Sequence, residues 1–198
     1  KTTLLFQLKD ELKAKGNDPV FLTLEDPAIL TRLNQHPENI FEFVLLRPEQ
    51  RSIILIDEIQ YLDNPSNFLK LLYDKYAGQL KIIATGSSAF YIDEKFTDSL
   101  AGRKKLFELY TLDFDEFLMF RTNDDTLAGE LNAIREQPGY RSARRGELEA
   151  LFNEYLTWGG YPAVVLESGN GNKTAMLKEI TGSYLKRDTL ESNIRDQD

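Results

Sequence analysis

Ser52-Ile53-Ile54-Leu55-Ile56-Asp57-Glu58 constrains this chain more than any other segment: a run of branched apolar residues ends abruptly in two adjacent carboxylates. Continuous Ile/Leu runs suit strands covered on both faces, as in parallel α/β sheets, and ligands of such sheets collect at the carboxyl ends of the strands. The run therefore predicts a buried strand that delivers Asp57 and Glu58 to a site.

A second apolar segment, Lys81-Ile82-Ile83-Ala84, ends in Thr85-Gly86-Ser87-Ser88. Between the two, Asn64 is placed to cap a helix starting at Pro65, with Phe68, Leu69, Leu72 and Tyr76 on one face and Gly78 as its stop. A right-handed strand-helix-strand crossover puts both strand ends on one sheet edge. Ser87 or Ser88 then comes within reach of whatever Asp57 and Glu58 bind. The opening Lys1-Thr2-Thr3 precedes Leu4, Leu5, Leu8 and Leu12 at helical spacing. It matches the end of the phosphate-binding loop, Gly, four residues, Gly, Lys and Ser or Thr, whose glycines this chain does not carry. In such loops the Lys reaches the β and γ phosphates and the hydroxyl ligates magnesium. The acid ending a neighbouring strand holds that metal, and Asp57 matches it. Glu58 is then the candidate to orient and polarise an attacking water. Taken singly, Lys-Thr is also an ordinary helix start, Asp-Glu a polar strand end and Gly-Ser-Ser a turn.

In combination these segments resemble the additional-strand class of phosphate-loop ATPases. More particularly, the chain is similar to the bacterial and archaeal AAA-type ATPases usually fused to a C-terminal domain of unknown function. The likeness continues through Ile59-Gln60-Tyr61-Leu62, Leu100-Ala101-Gly102-Arg103, Leu112-Asp113-Phe114-Asp115-Glu116-Phe117-Leu118 and Gly159-Gly160-Tyr161-Pro162. The resemblance implies an α/β fold, a parallel sheet of the additional-strand P-loop NTPase type followed by a helical lid. It implies ATP and Mg2+ as cofactors, Lys1 as the phosphate lysine with Thr2 and Thr3 beside it, Thr2 and Asp57 at the metal, and Glu58 as catalytic base. Ser87 and Ser88 become the polar sensor. Arg103 matches an arginine that neutralises transition-state charge in cis or from a neighbouring subunit, although the run Arg103-Lys104-Lys105 equally suits a solvated basic turn. The family pattern also implies that glycines and a first strand precede Lys1 in the intact protein. The domains expected are an NTPase core over residues 1–121, a helical lid over 122–171, and a helix over 172–198 leading into a C-terminal domain.

The rest of the chain reads as a strand near 20–24 and a helical region to about 46, with a strand expected over 104–110. Beyond 111 the pattern is helical: residues 114–120 with Asp113 and Glu116 as a reciprocal cap, then about 145–157 and 172–190. The polar stretch 122–146 is expected to be a connection. Trp158 and Tyr161 suit packing at a helix corner.

With no Cys, disulfides, thiolate metal sites and a cysteine nucleophile are excluded, and a single His, His36, argues against imidazole metal sites and serine-histidine hydrolases. No apolar run approaches the roughly 18 residues needed to cross a bilayer, so no membrane partner and a cytoplasmic location are expected. The net charge of -8 opposes nonspecific attraction to nucleic acid. Local basic groups at 103–105, at Arg141, Arg144 and Arg145, and at Lys178, Lys186 and Arg187 keep that question open, as Arg103 does for self-association. Two functional readings result. One is a Mg-dependent ATPase that passes a conformational change to a C-terminal domain. The other is a nucleotide-gated binding or scaffold module, DNA-associated or not, with little turnover. Glu58 favours the first, because a pure binder has no need of a base beside the metal acid.

Overall fold

A computed structural model describes residues 1–47, 50–86, 100 and 102–195, with side chains described as far as residue 183. The chain divides into two compact units, Lys1–Leu109 and Tyr110–Asp198.

The first unit is built on three parallel strands, β1 (Val20–Thr23), β2 (Ser52–Asp57) and β3 (Leu80–Ala84), in the order β1-β2-β3. The Ile-rich run takes the central position because it alone can be covered on both faces: Ile54, Leu55 and Ile56 are 0% exposed. Each such side chain contributes about 1.5–3 kcal/mol on burial. Helices α1 (Thr2–Ala14), α2 (Pro27–Gln35) and α3 (Pro65–Tyr76) surround the sheet sequence, with a 3-10 segment at Pro37–Glu42. Asp26 and Asn64 cap α2 and α3 from the position before a first-turn proline, each side chain accepting backbone N–H bonds. Phe68 and Leu72 of α3 join Leu22, Leu33, Ile40, Ile54 and Ile56 in one core. The α/β class and parallel sheet expected from the sequence are what the chain forms.

Residues 104–110, expected as a strand, form no regular element, and Leu106, Phe107, Leu109 and Tyr110 are exposed. A strand needs a sheet ladder for its backbone groups, and the sheet among the described residues is made of β1, β2 and β3 alone. Among those residues β3 likewise pairs with β2 alone.

The second unit is helical: α4 (Phe114–Thr122), α5 (Asp125–Glu136), α6 (Arg145–Trp158), α7 (Pro162–Leu166) and α8 (Asn170–Arg195). The expected reciprocal cap is present, Asp113 accepting from Glu116 N–H and Glu116 from Asp113 N–H. Phe117, Leu118, Leu127, Leu148 and Val165 form its core. The stretch 122–146, expected as a connection, instead contains α5. Its polar composition conceals an apolar pair one turn apart, Leu127 and Leu131, packed on that core, while Asp124 caps the helix through Thr126 N–H. The buried Lys173 ammonium is paired with Glu154 at 2.7 Å, which offsets the cost of taking that charge out of water.

Arg144 joins the start of α6 to that of α5, donating to Asp124 at 2.8 Å and to Glu147 at 2.8 and 2.9 Å. The Thr126 hydroxyl, and after it the Arg144 guanidinium, hold the Asp124 carboxyl down from 3.8 to about 2. A depressed folded value contributes stability that is present above the unfolded value and lost as pH falls through the folded one. In thermal melts the wild type is therefore expected to lose more Tm between about pH 4 and about pH 2 than Asp124→Asn, which has no such proton to gain. Equal slopes for the two proteins would refute the linkage.

Among the described residues no helix is long and apolar enough to cross a membrane.

Candidate functional site

Strand β2 ends at Asp57, whose carbonyl accepts from Leu24 N–H at 3.1 Å and whose side chain is 3% exposed. A buried carboxylate needs partners, and it has two hydroxyls. Thr2 Oγ1 donates to Oδ2 at 2.6 Å, and Thr85 Oγ1 donates to Oδ1. Thr2 opens α1, a helix with no acidic residue in its first turn, so its N-terminal N–H groups and dipole remain suited to an anion. Lys1 precedes it and donates from Nζ to Gly86 O at 2.6 Å. The chain start, the acidic strand end and the end of β3 thus meet on one edge of the sheet.

Glu58 follows in the left-handed region, φ 57° and ψ 49°. For a residue with a Cβ this costs on the order of 1–3 kcal/mol, and such strain clusters at functional sites. The conformation breaks the strand immediately after Asp57 and starts a 3-10 turn, Ile59–Tyr61, with Glu58 at its cap position. Ile59 is 2% exposed and donates its N–H to Thr85 O at 2.9 Å. Gln60 Nε2 donates to Glu58 Oε2.

The structure therefore brings Lys1, Thr2, Asp57 and Glu58 to one edge. Thr3 is exposed on α1, and Ser87 and Ser88 lie outside the described residues. Arg103 is not brought to this group. Its Nε donates to Asp74 Oδ1 at 2.7 Å, and Asp74 sits in the last turn of α3 (Pro65–Tyr76). A helix crossing between parallel strands runs back to where the next strand begins, so that turn lies toward the sheet edge opposite Asp57. In the second basic group, Arg144 and Arg145 are both engaged by carboxylates.

Three participants were not singled out as site residues from the sequence: Thr85, the Gly86 carbonyl and Gln60. For Thr85 the signal is the register. With Ile56 opposite Ala84, the next residue on each strand, Asp57 and Thr85, faces its counterpart, and neighbours in parallel register share a face.

A hydroxyl and a carboxylate already in contact make a hard-oxygen donor pair, which fits Mg2+, an ion that takes few protein ligands and keeps several waters. Among the described residues no group of three or more His, Cys, Asp or Glu is arranged to hold a metal.

Comparison with known proteins places the chain among relatives by sequence. A family model described as an AAA domain matches residues 1–118. The uncharacterized protein MJ1544 of Methanocaldococcus jannaschii is 27% identical over 191 residues, which cover 96% of this chain and 40% of that protein. An uncharacterized protein of Haemophilus influenzae is 24% identical over 170 residues, 84% of this chain and 38% of the relative. A second M. jannaschii protein, the uncharacterized MJ1637, is 36% identical over 130 residues, 62% of this chain and 26% of that protein. The chain thus spans two fifths or less of the length of these relatives. No solved structure matches it significantly.

Proposed function

The chain belongs to the AAA domain family, whose members are nucleotide-binding domains of ATPase type, and from that premise we propose that the complete protein binds ATP with Mg2+ and hydrolyses it at the edge formed by Lys1, Thr2, Asp57 and Glu58. One observation carries the reading: Thr2 Oγ1 lies 2.6 Å from Asp57 Oδ2 while Lys1 Nζ reaches the end of β3. Residues 55 positions apart in sequence are joined at a buried carboxylate, which is the arrangement a metal-bound triphosphate requires.

Lys1 supplies the cation for the β and γ phosphates. Its present acceptor is a neutral carbonyl, which an ionised phosphate oxygen outcompetes because charge-assisted bonds are roughly twice as strong. Thr2 and Asp57 would hold Mg2+, which when bound neutralises charge between the phosphates. Thr85 keeps the Asp57 carboxylate from rotating away. Glu58 accepts the proton of the attacking water. Ser87 and Ser88, which follow Gly86 in the sequence, serve as the polar sensor. Arg103, tied to Asp74, enters as a residue presented to a neighbouring copy's nucleotide, so self-association belongs to this reading. Hydrolysis, which releases ADP and phosphate, drives a conformational change passed to the remainder of a longer protein, and a cytoplasmic location accords with a supply of ATP.

The direct test is equilibrium binding of Mg-ATP by the complete protein. Lys1→Ala is expected to weaken binding at least about tenfold, the worth of one charge-assisted hydrogen bond. Unchanged affinity would mean that the nucleotide binds elsewhere.

A further inference from the structure

We propose that Gln60 is a positioning residue for Glu58, holding its carboxylate in the orientation that takes a proton from the attacking water; the proposal rests on the reading of Glu58 as general base.

The backbone around Glu58 is fixed from three directions. Its own left-handed conformation sets where the side chain departs. Ile59 is buried and hydrogen-bonded to Thr85 O at 2.9 Å, and Tyr61 N–H closes the turn onto Glu58 O at 3.1 Å. None of this fixes the carboxylate, which still turns about three side-chain torsions. Gln60, one residue past the buried Ile59, supplies the missing restraint by donating from Nε2 to Glu58 Oε2.

The residue type suits the task. A glutamine amide donates two N–H groups and does not ionise near neutral pH. It restrains a carboxylate without competing as a base. A lysine there would pair with the charge and weaken its basicity, and an apolar residue would leave it loose. Gln60 engages one carboxylate oxygen, Oε2, and leaves Oε1 open to the water. A misplacement of about 1 Å in a catalytic group costs up to about 100-fold in rate, so loss of a single orienting bond is expected to register in kcat.

The experiment is a double-mutant cycle on the complete protein, following ATP turnover and, separately, equilibrium binding of a fluorescent ATP analogue. Gln60→Ala is expected to lower kcat about tenfold with KM and analogue affinity within about twofold. Gln60→Glu, which keeps the shape but loses the donor, is expected to fall at least as far. In the Glu58→Gln background, Gln60→Ala is expected to leave the residual single-turnover rate unchanged, since there is no base left to position. A kcat at the wild-type level in Gln60→Ala, beside an impaired Glu58→Gln, would overturn the role of Gln60 alone. The same tenfold loss persisting in the Glu58→Gln background would also overturn it, by showing that Gln60 acts on something other than Glu58. Full turnover in Glu58→Gln itself would overturn the base assignment, and the Gln60 role with it.

Discussion

Glu58→Gln in the complete protein is expected to lower kcat for ATP hydrolysis by about 10²–10⁴-fold, the usual worth of a general base, while the dissociation constant for Mg-ATP stays within about twofold. The substitution is nearly isosteric and leaves the left-handed backbone at φ 57° with the same steric demand, so the turn through Ile59 and its bond to Thr85 O are retained. Asp57 keeps both of its hydroxyl partners, which preserves the pair proposed for magnesium. What is removed is the oxygen able to take a proton. Phosphate release under saturating ATP and titration of a fluorescent analogue separate the two effects. Turnover that survives the substitution would remove Glu58 from the chemistry. A wild type that binds ATP tightly but releases no phosphate, with candidate partners present, would favour a nucleotide-gated scaffold instead, with Glu58 as no more than the end of a strand.

The parts of this edge that were legible in the sequence are those whose physics is local. An unbroken apolar run announces a strand covered on both faces, and its abrupt end in Asp57-Glu58 marks the carboxyl end of the strand, where ligands of such sheets collect. Asn64 before Pro65 and Asp113 three residues before Glu116 announce helix starts, because caps act within one turn. Thr85 as a partner of Asp57 needed the strand register, a non-local quantity set by packing across 28 residues of chain. The Gln60 contact depends on the left-handed conformation at Glu58, which no side-chain pattern encodes. Arg103 shows the opposite case. Its composition context suits both a solvated turn and a catalytic arginine, and only the direction of α3 reveals that its partner Asp74 lies toward the other end of the sheet. Helix α5 was hidden because two apolar residues, Leu127 and Leu131, sufficed to anchor a helix whose other faces are charged. The segment 104–110 shows the reverse: its β propensity is local, and among the described residues it joins no strand ladder.

Gly160→Ala is expected to destabilise the second unit by about 3 kcal/mol, at the upper end of what overpacking costs. A Cβ at that position would stand 2.0 Å from Leu112 O and 2.9 Å from Leu112 C, with backbone atoms rather than a flexible side chain as the obstacle. The approach is close because Leu112 N–H donates to Gly160 O at 2.8 Å, and the Tyr155 hydroxyl donates to the Leu112 carbonyl at 3.1 Å. These contacts tie the end of α6 to the residue immediately before the capping box of α4, which is how Gly159-Gly160-Tyr161-Pro162 and the Leu112–Leu118 segment come to depend on each other. A methyl group must break the bond or displace the carbonyl, and either outcome leaves a backbone group without its partner. The adjacent Gly159 provides the control. It has open space around it but sits at φ 73° and ψ -170°, a region that glycine alone readily adopts, so Gly159→Ala meets only a backbone penalty of about 1–3 kcal/mol. Denaturant titrations that resolve the second unit should rank Gly160→Ala as the more damaging of the two. The reverse ranking would mean that the glycine pair is kept for its backbone conformation, and that the contact with Leu112 yields easily.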